Sequence, residues 1–286
     1  MTGEEERRCI DGLLDRAIDE DLGRSGDCTS NALFSESDRA EGVIRSKEAG
    51  VLSGMFLLSP LFLKIDPSIA IVMLLDDGNA LARGSEICRV QGSARGILAG
   101  ERIALNFLQR LSGIATLTSR YCAAIAHTGA RLLDTRKTTP GLRFLEKLAV
   151  RHGGGANHRF GLFDMMLIKD THVKRCSGVT AALEKALRSR GSSPAPKIEV
   201  EVRSVEEFGE ALRLLPDRIM LDNMSLDAMR QCVEKKRASG AAVELEASGN
   251  ITLDTIAAVA GTGVDFISCG AITHSARALD IHLIIA

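Results

Sequence analysis

The chain has 286 residues and a formal net charge of -1, so it can bury a large core in one or two domains and lacks the basic excess of a nucleic-acid partner. Aromatic residues make up only 3%, with no Trp and a single Tyr, Tyr121, which leaves an aliphatic core and few platforms for base stacking. Seven cysteines with no C-x-x-C pair suggest neither a disulfide framework nor a zinc knuckle.

Residues 4–22 carry Ile10, Leu13, Leu14, Ala17, Ile18 and Leu22 on one helical face, and Gly23 ends that helix. Gly26 to Ser30 reads as a loop. The opening Met-Thr-Gly-Glu-Glu-Glu-Arg-Arg is no signal peptide. From 39 to 95, short apolar runs broken by Gly and Asp predict a mixed α/β layer with antiparallel strands. Within it, the uncharged run Gly50 to Leu63 contains Pro60 and is too short for a membrane span. With the cysteine usage, this points to a reducing cytoplasm.

Gly100 to His127 returns to helical spacing, and Gly113 predicts a break or a bend in it. Arg102 falls in the expected first turn, where a cation is mildly unfavourable. It is either an incidental surface residue or one held for a ligand.

After residue 130 the pattern becomes regular. Apolar strands are predicted at 131–134, 165–168, 198–202, 218–221, 243–246 and 264–268. Helices are predicted between and after them, at 142–151, 178–190, 204–215, 225–238, 252–260 and 273–279. Such alternation means βα units on a parallel sheet. With no G-x-G-x-x-G after the first strand, a barrel is favoured over an open doubly wound sheet. Ser189 to Pro196 reads as a flexible connection, and Leu279 to Leu283 alternates like a half-buried strand returning to the first domain.

Charge concentrates in one window. Arg131 to Arg175 holds ten Lys and Arg against four Asp and Glu, together with His152, His158 and His172. Arg136-Lys137 and Lys169 directly follow predicted strands, which places cations at strand ends, aimed at a small polyanion. Glu201, Asp222, Ser248-Gly249-Asn250 and Gly270-Ala271 occupy the same position after later strands. In a parallel barrel all these ends open on one face. Singly, each has a plain reading as a loop charge, a helix cap or a turn glycine. Six polar strand ends in register are harder to dismiss. The two glycine turns near the end suit a phosphate. His152 and His158, six residues apart, do not make a metal spacing.

At these residues the chain resembles the nicotinate-nucleotide pyrophosphorylases, also called quinolinate phosphoribosyltransferases. The carrying stretches are Gly100 to Asn106, Asp134 to Gly141 (Asp-Thr-Arg-Lys-Thr-Thr-Pro-Gly), Gly153 to Arg159, Leu167 to Asp170, Glu199 to Val202, Leu221 to Asn223, Glu246 to Asn250 and Gly270 to Ser275. They span nearly the whole chain in family order, with His152 and Thr171 as small departures.

The resemblance implies an α/β chain with an N-terminal α/β sandwich, 1–112 completed by the tail 275–286. An open parallel, TIM-like α/β barrel follows at 113–274. It implies a homodimer in which Arg102 reaches the partner's site. The implied reaction, in NAD biosynthesis, joins quinolinate and phosphoribosyl pyrophosphate, with Mg²⁺, to give nicotinate mononucleotide, pyrophosphate and carbon dioxide. Arg136, His158, Arg159, Lys169 and Arg102 in trans would hold the quinolinate carboxylates, with Thr135 beside them. Lys137, Lys169, Glu201 and Asp222 would do the catalytic work at the ribosyl pyrophosphate, with Glu201 and Asp222 facing Mg²⁺ through substrate and water. Ser248, Gly249, Asn250, Gly270 and Ala271 would take the 5-phosphate. Three competing readings remain at this point. They are a family relative of different substrate such as the homologue encoded with molybdate transport, a Schiff-base lyase using Lys169, and a non-catalytic phosphate-metabolite sensor.

Overall fold

A computed structural model describes residues 3–191 and 196–285. Part of the predicted connection Ser189 to Pro196 therefore lies outside the described residues. The elements run α1 (Gly3–Leu22), α2 (Cys28–Leu33), β1 (Arg39–Ser46), β2 (Gly50–Val51), α3 (Leu58–Ile65), β3 (Ala70–Met73), β4 (Ala80–Leu81), β5 (Glu86–Ser93) and α4 (Ala94–Ile125). They continue with β6 (Arg131–Leu133), α5 (Arg143–His152), β7 (Met165–Ile168), α6 (Asp170–Arg175), α7 (Val179–Ser189), β8 (Lys197–Val202), α8 (Val205–Leu214) and β9 (Arg218–Asp222). The last are α9 (Leu226–Ser239), β10 (Glu244–Ser248), α10 (Ile256–Ala260), β11 (Phe266–Ser268), α11 (Ala271–His274) and β12 (Ile281–Ile285). None of these helices is long and apolar enough to cross a membrane.

The chain divides into two compact units. One comprises residues 1–119, 139–154 and 276–286, and the other 120–138 and 155–275. The first is built on an antiparallel sheet of order β12-β1-β5-β3. The tail does return to it: β12 pairs with β1 from Gly42 opposite Ile285 to Ser46 opposite Ile281. Its core joins Leu14 of α1, Ile44 of β1, Phe62 of α3, Ile87 of β5 and Leu108 of α4, all nearly or fully buried. An aliphatic core of this kind follows from the near absence of large aromatics.

Two expectations for this half are corrected. The loop expected at Gly26 to Ser30 gives way at Cys28 to α2, because the Asp27 carboxylate caps it, accepting the Thr29 and Ser30 amides at 3.0 Å. Gly113 does not break its helix either. α4 runs 32 residues from Ala94, which leaves Arg102 in mid-helix rather than in a first turn. The glycine is there for approach: a Cβ at Gly113 would collide with the carbonyl oxygen of Arg277, which lies against the helix.

The second unit carries a six-stranded parallel sheet of order β6-β11-β10-β9-β8-β7. It is an α/β, TIM-like layout with β6 and β7 at its edges. All six strands fall where the apolar runs predict them, and β7 matches residue for residue. Local capping fixes where several helices start. Ser204 accepts the Glu207 amide at the start of α8, and Ser225 accepts the Ala228 amide at the start of α9. Period two sets which side chains share a face. On β10 Glu244, Glu246 and Ser248 point one way, and Leu245 and Ala247 the other. On β8 Glu199 shares a face with Glu201, and on β9 Arg218 shares one with Asp222. The register sets Glu199 and Glu244 beside Arg218, and Ser248 beside Asp222.

Candidate active site

At the C-terminal ends of these strands lies a cavity of about 700 Å³. It is lined by Thr135, Arg136 and Lys137 after β6 and by Lys169 and Asp170 after β7. Glu201, Arg203, Asp222 and Asn223 follow from β8 and β9, and Ser248 to Asn250 and Gly270-Ala271 from β10 and β11. His158, Arg159 and His274 also line it. Every site residue read from the sequence lines this cavity except Arg102, which stands exposed on α4.

The loop after β6 is held as a tight turn. Thr135 Oγ1 accepts the Lys137 amide at 3.0 Å, and the Lys137 carbonyl accepts Thr273 Oγ1 at 2.9 Å. Asp134, fully buried just before it, does a second job. Its carboxylate accepts the His158 amide at 2.8 Å and the Asn157 side-chain amide at 2.6 Å. Leu133 and Ala156 form a parallel bridge. The glycine-rich segment therefore docks against β6 like a partial strand and delivers His158 and Arg159 to the cavity.

Arg159 is tethered by Nη1 donating to the Met165 carbonyl at 3.1 Å. Burial, followed by the neighbouring Arg136 cation, pulls Arg159 below the usual guanidinium range. Two guanidinium groups close enough to repel in one cavity fit a dianionic ligand. Lys169 Nζ pairs with Glu201 Oε1 at 3.4 Å, and Glu201 Oε2 accepts the Asp170 amide at 3.2 Å. Arg203 then bridges Asp170 and Asp222, 3.1 Å from each. Three neighbouring strand ends are thus stitched together by alternating charges.

The turns after β10 and β11 expose backbone. Gly249 has φ +101 and Asn250 φ +52, so consecutive left-handed residues follow β10. A Cβ at Gly249 would collide with the Asn223 side chain, whose Oδ1 accepts the Asn250 amide group at 3.0 Å. A Cβ at Gly270 would lie 3.0 Å from Lys137 Cδ and 3.1 Å from His274 Nε2. Glycine here brings the chain close to one cation and one imidazole, a geometry suited to phosphate oxygens.

Beneath the cavity floor is a buried polar cluster that the sequence reading did not single out. His158 Nδ1 accepts the Arg159 amide at 2.7 Å, and Nε2 lies 3.0 Å from Glu199 and 3.5 Å from Glu246. Both glutamates are fully buried. Arg218 Nη1 donates to Glu246 at 2.8 Å, its other arm reaches Glu244, and its guanidinium lies 4.0 Å from the Phe266 ring centre. Burial, then the Glu246 charge, lifts Glu199 to about 7. Burial also pushes Glu246 upward, but His158, Ser268 and Arg218 outweigh it and hold Glu246 below the usual range. Burial lowers the His158 imidazolium, and the two carboxylates more than offset this, raising it to about 9. The trio therefore keeps one extra proton at neutral pH. With Nδ1 occupied by the Arg159 amide, that proton belongs on the carboxylate side. Ligand atoms of His158, Glu199 and Glu246 lie within 4.8 Å of one another, close enough for a metal, but Arg218 already supplies a cation.

His274, Asn223 and Asp170 lie within stretches quoted above, yet were given no role. Arg203, Arg218, Glu199 and Glu246 were readable only by extending period two along β8, β9 and β10 into the barrel interior.

Comparison with known proteins agrees across the chain. Residues 27–112 match the quinolinate phosphoribosyl transferase N-terminal domain, and residues 114–284 its C-terminal domain. A probable nicotinate-nucleotide pyrophosphorylase (carboxylating) of Bacillus subtilis is 41% identical, over 95% of this chain and 91% of that protein. A quinolinate phosphoribosyltransferase (decarboxylating) of Nicotiana tabacum is 40% identical, over 96% and 81%. Among solved structures, NadC from Streptococcus pyogenes superposes with a TM-score of 0.91 at 38% identity, covering 97% of this chain and 96% of that one. The nicotinate-nucleotide pyrophosphorylase of Francisella tularensis gives 0.90 at 37%, covering 98% and 96%. The chain belongs to the quinolinate phosphoribosyl transferase family.

Proposed function

We propose that the chain transfers the phosphoribosyl group of phosphoribosyl pyrophosphate to the ring nitrogen of quinolinate, with loss of carbon dioxide, as a step in NAD biosynthesis. The observation that carries this reading is one cavity holding Arg136, Arg159, Lys137 and Lys169 together with the acids Glu201 and Asp222. A dicarboxylate and a polyphosphate can share a pocket only if fixed cations offset their mutual repulsion.

Arg136, Arg159 and Lys169 hold the two carboxylates, with Thr135 and His158 on the same wall. The turns at Ser248-Gly249-Asn250 and Gly270-Ala271 cradle the 5-phosphate. Lys137, reaching past Gly270, stands between phosphate and pyrophosphate. The ring nitrogen displaces pyrophosphate at C1 of the ribose through an oxocarbenium-like state, which Glu201 and Asp222 stabilise electrostatically. The ribosylated ring is cationic and accepts the electron pair left as carbon dioxide departs, and C2 then takes up a proton. No protein nucleophile is needed.

Hard carboxylate oxygens of Glu201 and Asp222 on adjacent strand ends fit Mg²⁺. Each already has a cationic partner, Lys169 and Arg203, so contact through water and pyrophosphate oxygens suits them. When bound, Mg²⁺ would neutralise the leaving pyrophosphate. The working division assigns this chemistry to the barrel, 113–274, and leaves 1–112 with 275–286 as the sandwich.

The family resemblance supports a homodimer in which Arg102 enters the partner's site. The cysteine usage supports a cytoplasmic setting. A Schiff-base lyase is disfavoured because Lys169 Nζ makes an ion pair with Glu201, the opposite of a free amine lone pair.

The test uses purified protein, Mg²⁺, phosphoribosyl pyrophosphate and quinolinate labelled in the 2-carboxylate. Equal amounts of labelled carbon dioxide and nicotinate mononucleotide are expected, and neither from Arg136→Ala or Lys169→Ala. Turnover of another base, with silence on quinolinate, would discard the substrate assignment. Mixing Arg102→Ala with Lys169→Ala protein should restore part of the activity if Arg102 acts across a dimer.

A further inference from the structure

Arg203 is the one cation of the cavity that the proposed chemistry leaves without a task. It follows β8 directly, and its backbone is pinned there: its amide donates to Glu207 Oε2 at 2.7 Å, on the first turn of α8. Its guanidinium uses one edge on protein. Nε donates to Asp222 Oδ2 and Nη2 approaches Asp170 Oδ2, each at 3.1 Å. The side chain is still 50% exposed and faces the cavity. Among the described residues Nη1 has no protein contact of this kind, so part of the fork stays open.

Held along one edge by two carboxylates, a guanidinium loses most of its rotamer freedom before any ligand arrives. The same contact screens Asp170 and Asp222, which would otherwise repel an incoming polyanion at this rim. A surface clasp alone would not require the open edge to face the cavity.

We propose that Arg203 is a substrate-binding residue that donates from its open edge to the pyrophosphate of phosphoribosyl pyrophosphate, oriented from behind by Asp170 and Asp222. This rests on the transferase reading above. Arg203 serves the pyrophosphate and not the quinolinate carboxylates, because its two anchors are Asp222, the acid assigned to the leaving group, and Asp170 beside it.

The test is calorimetric titration of inorganic pyrophosphate into parent, Arg203→Gln and Arg203→Lys proteins in metal-free buffer, with steady-state kinetics beside it. Arg203→Gln should weaken pyrophosphate binding and raise KM for phosphoribosyl pyrophosphate by about tenfold, the scale of one charge-assisted contact. KM for quinolinate should stay within about twofold, since no contact to that substrate is removed. Arg203→Lys keeps the charge but not the fork, and should fall between parent and Gln. Pyrophosphate binding unchanged in both variants, while the parent makes nicotinate mononucleotide, overturns this inference alone. So does an equal rise in both KM values, which would mark a structural clasp. A parent that binds no pyrophosphate and turns over no quinolinate overturns the reading beneath it.

Discussion

The Arg159 amide donates to Nδ1 of His158 at 2.7 Å, so the imidazole turns its other nitrogen inward to Glu199 and Glu246. One ring thus ties a cavity-lining arginine to a pair of buried acids. The consequence is a pH effect on stability. Glu199 moves from its ordinary 4.5 to about 7. Across that span the folded cluster binds more protons than the unfolded chain, so stability falls as pH rises from about 5 to about 7. The melting temperature should drop by several degrees between pH 5 and pH 8. The Glu199→Gln protein should show a shallower drop. Parallel curves for the two proteins would contradict the shared proton.

Arg218 is the cation that makes this cluster tolerable. Replacing it with Met keeps volume but strands Glu246 without its 2.8 Å partner. Loss of one partner of a buried ion pair costs about 3–5 kcal/mol. Chemical denaturation should show that loss for Arg218→Met, and a smaller one for the double variant Arg218→Met with Glu246→Gln. Equal losses would mean that the pair is not coupled.

Arg136 and Arg159 should be poorly replaced by lysine. A planar fork meets both oxygens of a carboxylate, while an ammonium offers a point charge. Either Arg→Lys change should raise KM for quinolinate by about tenfold or more, with KM for phosphoribosyl pyrophosphate little altered. Initial-rate measurements with each substrate varied in turn decide it. Equal shifts in both constants would show that these residues do not discriminate between the substrates.

Gly113 is predicted to be intolerant for a reason unrelated to helix propensity. Alanine is the better helix former, yet its methyl would enter the Arg277 carbonyl. Gly113→Ala should therefore destabilise by about 1–3 kcal/mol, the usual cost of overpacking. Thermal melts would show the drop. A gain in stability, as at an exposed helical glycine, would mean the tail does not lie against α4.

Much of this architecture was legible in the sequence, and the parts that were not share a cause. Parallel strands such as Met165–Ile168 announce themselves as short apolar runs, and the cations after them mark the cavity. α2 is only six residues long, too short for periodicity, and rests on a single capping aspartate. The glycine at 113 in the unbroken α4 answers to a carbonyl 164 residues away, which no local pattern records. Nothing local in the sequence marks Arg203, because its partners, Asp170 and Asp222, come from different strand ends. Glu199 and Glu246 were quoted as parts of motifs. Their burial follows only once the strands are set side by side and period two is carried below the rim.

That buried column has a practical bearing on engineering. The barrel interior holds charge at Glu199, Arg218 and Glu246 where aliphatic side chains would pack at less electrostatic cost. A variant library screened for heat resistance alone will drift toward hydrophobic replacements at those positions. Each such winner would remove a support from His158, and with it the anchor of Arg159. Selection for robustness and selection for turnover should therefore pull this chain toward different sequences at its centre, one residue beneath the cavity wall.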